Sequence, residues 1–167
     1  MQLRPDWSRH DSTTLRTLAD VKHNIRRHRV AEFLPMWLTH LAAAYADLRQ
    51  MDDALPCIGE AKSIVETAGE RWCEAEVNRV TGEIALMSPK RDVLQAESYF
   101  ERALSVARQQ QAKSWELRAA MSMARLWRDQ GKREEARELL APVHGCYRWL
   151  RHARSEGGKA LVGELSP

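Results

Sequence analysis

Small and large apolar residues return along the chain at intervals of three and four, the period of helices buried along one stripe. Leu41-Ala42-x-x-Tyr45 is followed by Ala54-x-x-x-Ile58-x-x-Ala61. The same arrangement recurs as Thr81-Gly82-x-x-Ala85 with Ala96-x-x-x-Phe100-x-x-Ala103. It recurs again as Met123-Ala124-x-x-Trp127 with Ala136-x-x-x-Leu140-x-x-Val143. Corresponding positions lie 40 to 42 residues apart, which predicts three stacked copies of one unit. Each copy reads as two antiparallel helices. A small residue on the first (Ala42, Gly82, Ala124) admits the second at close range.

The polar interruptions carry matching turn chemistry. Asp52 and Asp53 are expected to cap the helix containing Ala54, with Pro56 in its first turn, where a missing N–H is harmless. Ser88-Pro89 and Gly131 break the second and third copies. Pro142 is expected to bend or end the last helix. Ahead of the copies, Leu15, Leu18, Val21 and Ile25 form an apolar stripe. The chain therefore reads as all-α: a helical solenoid of about three pairs plus an N-terminal flanking helix. The expected boundaries are a disordered leader at 1–11, the flanking helix at 12–29, repeats at 30–69, 70–112 and 113–146, and a capping segment at 147–167. The abrupt upstream start reads as that of a piece of something larger.

Composition narrows the class. Hydrophobic residues are 44% and charged ones 29% of 167, the balance of a folded chain rather than a disordered one. No apolar run approaches the roughly 20 residues of a membrane span, and Met1–Trp7 has no secretory character. Three cysteines without a C-x-x-C pair indicate a reducing, cytoplasmic setting of bacterial type. The formal charge is only +3, and the excess of Lys and Arg sits at the two ends. Nucleic-acid binding through Arg16, Lys22, Arg26 and Arg27 is therefore the weaker alternative to protein binding.

Chemistry-bearing motifs are sparse. There is no phosphate-binding loop and no G-x-G-x-x-G, no G-x-S-x-G elbow, and no H-x-x-x-H among the six histidines. No nucleophile, base and oxyanion set can be assembled, so the expectation is a non-enzyme with no cofactor and no metal. Cys73 reads as a small apolar filler. Trp72, Trp115 and Trp127 read as core side chains.

The small-and-large spacing resembles the tetratricopeptide repeat, W-x-x-L-G-x-x-Y…A-x-x-x-F…P, in a longer version than its usual period of about 34 residues. The likeness is more specific in Glu70-Arg71-Trp72-Cys73-Glu74-Ala75-Glu76, Gly82-Glu83-Ile84-Ala85-Leu86 and Ala96-Glu97-Ser98-Tyr99-Phe100-Glu101-Arg102-Ala103. It continues through Ser114-Trp115-Glu116-Leu117-Arg118 and from Ala124-Arg125-Leu126-Trp127 to Ala141-Pro142-Val143. These stretches resemble the C-terminal repeat region of large bacterial adenylate cyclase or ATPase signalling proteins. The resemblance implies a sensory or docking appendage whose partner is a protein, a peptide or a neighbouring domain. A remnant of such a regulator with no independent function is the alternative. The resemblance further implies that the first helices line a concave groove, through Thr39, Ala43 and Asp47 in copy one, Arg79 and Glu83 in copy two, and Arg118, Met121, Arg125 and Arg128 in copy three. The clustered arginines suit a carboxylate or phosphate partner; charge pairs on a solvated face are the plainer alternative. Beyond Gly145 the likeness stops and returns at Lys159-Ala160-Leu161. Residues 147–158 can be spelled from a family-like stretch read one nucleotide early, so a compensated frameshift and a frayed C-terminal end are expected there.

Overall fold

Three helix starts carry an identifiable local cause. Leu34–Asp47 (α1) has Pro35 in its first turn, where no N–H is needed. Met51–Ala68 (α2) has Asp52 and Asp53 in its first turn, favourably placed against the positive end of the helix dipole. In Val93–Gln109 (α4) the cap is formed by Asp92, whose carboxylate accepts the Gln95 N–H at 2.9 Å. Glu74–Met87 (α3), Lys113–Asp129 (α5) and Arg133–Tyr147 (α6) complete the order. The computed structural model describes residues 33–68 and 71–147. The expected leader, flanking helix and out-of-frame stretch beyond Tyr147 lie outside them, as do Arg16, Lys22, Arg26 and Arg27. The described residues form six helices in three pairs, with no strand among them. The all-α helical-repeat class is therefore correct.

Three turns share one hydrogen-bond pattern. Gln50 donates to the Tyr45 carbonyl and Arg49 to that of Ala46; Ala112 to Ala107 and Gln111 to Arg108; Lys132 to Trp127 and Gly131 to Arg128. This is the Schellman closure, with a left-handed residue at its pivot. The pivots are Arg49 (φ 63°), Gln111 (φ 54°) and Gly131 (φ 83°). Only the last is signalled by composition.

The chain divides into two compact units between Cys73 and Glu74. In the first, α1 and α2 form a hairpin with buried Leu38, Leu41, Ala42 and Tyr45 on α1 and Ala54, Ile58 and Ala61 on α2. The second unit holds two hairpins, α3–α4 and α5–α6. One cluster runs through all four helices: Ala85, then Phe100 and Ala103, then Ala119, Met123 and Ala124, then Ala136 and Leu140. Gly82 marks a close helix approach. A β-carbon there would stand 2.6 Å from the Phe100 ring and 3.1 Å from the Ala96 carbonyl. The small-residue reading of the repeat holds at this position in atomic detail.

Three expectations are corrected. Pro56 is in the second turn of α2, not the first, because the helix begins at Met51 with the Gln50 carbonyl accepting the Ala54 N–H at 3.0 Å. Of the bend or end expected at Pro142, the end is excluded, because α6 runs on to Tyr147. Trp72 is not a core residue: it is 38% exposed and meets Phe33 edge-on, ring centres 5.6 Å apart. Trp127 does pack on the core of the second unit, and its indole N–H donates to Glu97 at 2.6 Å. Trp115 covers Ala75, Val106 and Ala107.

Candidate functional site

The candidate groove residues of the second unit are organised by an ionic array between α3 and α5. Glu76, Arg79 and Glu83 fall on one face of α3, three and four residues apart. Arg118 and Ser122 are one turn apart on α5. The guanidinium of Arg79 makes a two-pronged contact with the Glu76 carboxylate, Nε to Oε2 and Nη2 to Oε1, both 2.8 Å. Its Nη1 pairs with Glu83 and lies 3.4 Å from the Ser122 hydroxyl. Ser122 in turn donates to Glu83 at 2.8 Å. From α5, Arg118 reaches the same Glu76 oxygen at 2.6 Å and lies over the Trp115 ring, 5.4 Å from its centre.

Burial sets the stakes of this array. Glu76 is 1% exposed and Arg79 9%, and a buried charge is tolerated only when paired. Burial alone pulls the Arg79 pKa down, but the hydrogen bonds and charges of Glu76 and Glu83 outweigh it. The guanidinium is held above its ordinary value and stays charged. The two carboxylates and two guanidiniums cancel, so little net field leaves the array.

A second ionic contact fixes the start of α5. Glu116 is buried and accepts from Lys113 at 2.8 Å and Arg108 at 3.0 Å. Burial raises its pKa, but those two cations more than compensate and hold the carboxyl below its ordinary value.

The structure brings Arg79, Glu83 and Arg118 into contact. Met121 is half-buried against the core cluster. Arg125 is exposed, with no ion pair among the described residues. Arg128 pairs with its neighbour Asp129 at 3.0 Å. In the first unit Asp47 is exposed, whereas Thr39 is fully buried and spends its hydroxyl on the Pro35 carbonyl at 2.6 Å. The arginines thus form charge pairs more than an open cationic patch. Glu76 and Ser122, central to the array, are absent from the sequence-based candidates. Their one signal was spacing: three residues before Arg79 and four after Arg118.

Residues 117–148 match the family model of the tetratricopeptide repeat. The matched stretch covers most of α5 and all of α6, the third helix pair. It supports a tetratricopeptide-repeat protein, and such repeats generally mediate protein–protein contacts without catalysis. No curated protein and no solved structure matches the chain. Among the described residues, no group of three or more His, Cys, Asp or Glu could hold a metal ion, and no helix is long and apolar enough to cross a membrane.

Proposed function

We propose that the chain is a non-catalytic docking module that receives a protein or peptide segment along α3 and α5. The observation that carries this reading is the Glu76–Arg79–Glu83–Ser122–Arg118 array. It ties two first helices side by side and presents Glu83, Arg118, Met121 and Arg125 along them. A rigid mixed surface of this kind recognises its partner by shape and by local charge pairing rather than by a strong field. The repeat match over 117–148 supports the same class.

The finer reading is a cytoplasmic docking region of a cyclase- or ATPase-linked regulator. Its support is the likeness of the 70–143 stretch to such C-terminal regions.

The test is selection of peptides from a random 12-residue phage library on the purified chain. Selected peptides are expected to lose at least about tenfold in affinity, roughly 1.4 kcal/mol, against the double variant Met121→Arg, Arg125→Glu. Affinity for Leu94→Asp, a residue exposed on α4, should be unchanged. Peptides that bind the double variant as well as the parent would place docking elsewhere.

A further inference from the structure

One helix face changes character between the copies. On α5 the positions Trp115, Ala119, Ser122 and Leu126 are buried or half-buried. Trp115 packs on Val106 and Ala107 of α4, and Ser122 bonds to Glu83 of α3. The preceding helices thus cover that face. The corresponding positions of the middle copy, Cys73, Val77, Val80 and Ile84, are each at most 2% exposed. In the first copy the same positions are Phe33, Trp37, His40 and Ala44. Phe33 and Trp37 are each 50% exposed, His40 is exposed, and Trp72 extends the aromatic surface beside Phe33. Two large aromatic side chains on an uncovered face of a repeat stack mark a surface made to be covered.

The covering element can be read from the internal register. A shift of 82 residues carries Phe33 onto Trp115 and Trp37 onto Ala119. The same shift carries Leu18 onto Phe100, Val21 onto Ala103 and Ile25 onto Ala107. Those three α4 residues belong, with Ala96 (the counterpart of Thr14), to its fully buried stripe, 0% exposed. The 32 residues preceding Phe33 therefore hold an apolar stripe at the spacing, and at the distance from the open face, that α4 has from α5. We propose that residues 12–29 form a helix that lies on the Phe33–Trp37 face as α4 lies on α5, making the occupant of this surface the chain's own N-terminal segment.

Hydrogen exchange on the full-length chain, with sedimentation to establish a monomer, tests the assignment. Amides of residues 15–27 are expected to exchange at least about tenfold more slowly than an unstructured chain, and to return to within about twofold of it in Trp37→Asp. Amides of α4 and α5 should keep their rates. Because Trp37→Asp can unfold the first hairpin, a second variant reads the contact from the other side. With 5-fluorotryptophan incorporated, the Trp37 resonance is expected to move toward that of the free amino acid in Leu18→Asp, Ile25→Asp. Unprotected 15–27 amides in the parent chain overturn the proposal. So does a Trp37 resonance that ignores the double variant, and so does protection that appears only in a dimer, which gives the face to a second copy.

Discussion

At position 82 a hydrogen atom occupies a space that a methyl group cannot. Alanine is the better helix former by about 1 kcal/mol, yet its β-carbon would meet the ring of Phe100, itself fully buried. Overpacking a rigid core costs about 1–3 kcal/mol, so Gly82→Ala is expected to destabilise, by up to about 2 kcal/mol in urea melts once the helix gain is subtracted. The reverse change, Phe100→Ala, should cost about 3–5 kcal/mol. The turn pivots act in the opposite direction. Arg49 and Gln111 adopt left-handed backbones without being glycine, a conformation that costs an L-residue about 1–2 kcal/mol. Arg49→Gly and Gln111→Gly should each raise stability, by up to about 1 kcal/mol once the extra freedom of the unfolded chain is subtracted. Gly131→Ala should lower it. Thermal melts of the three variants check the signs.

Between helices, the α3–α5 array behaves as one object. Removing the Arg79 side chain leaves Glu76 buried with Arg118 as its partner, and removing Glu76 leaves Arg79 with Glu83 as its one charged partner among the described residues. Loss of one member of a buried pair typically costs about 3–5 kcal/mol, whereas replacing both by apolar residues of similar volume is often neutral. Glu76→Ala and Arg79→Ala should therefore each destabilise strongly, while Glu76→Leu with Arg79→Met recovers most of the loss in a double-mutant cycle. Glu116 makes the start of α5 sensitive to acid. Its pKa is lower in the folded protein, so its contribution is present above the ordinary glutamate value of 4.5 and disappears as pH falls through the folded value. Glu116→Gln should flatten the fall in stability below pH 4.5. The helix pairing was legible in the sequence because close packing leaves a trace at single positions: Ala42, Gly82 and Ala124 are small, and their partners are large or apolar. The array was not. Glu74-Ala-Glu-Val-Asn-Arg reads as a solvated run, since a buried carboxylate and an exposed one are the same letter until the facing helix is known. The turns at Arg49 and Gln111 were equally hidden, because packing holds a backbone there that the residue type does not advertise.

Taken as a molecule, the chain carries its excess of positive charge at the ends, and the ion pairs of the second unit leave its surface close to neutral. Docking along α3 and α5 is therefore expected to depend weakly on salt. Peptide affinity measured by fluorescence anisotropy should change by less than about tenfold between 0.05 and 0.5 M salt, a range across which the Debye length shortens about threefold. Repeat spacing and turn residues anticipated the all-α class and the pairing of its helices. Trp72 misled because large aromatic area does not by itself fix an interior position: Phe33 and Trp72 meet edge-on where neither is enclosed. The exposed pair Phe33 and Trp37 had no marker in the pattern, since their register neighbours Cys73 and Val77 are small and covered.

The mutual dependence of Glu76 and Arg79 also constrains descent. A lineage cannot discard either residue singly without passing through a poorly folded ancestor, so the two codons are expected to change together or through glutamine at 76 as a stepping stone. Among related chains, an aliphatic residue at 79 should coincide with loss of the acid at 76, leaving a paired substitution signature that sequencing alone can find.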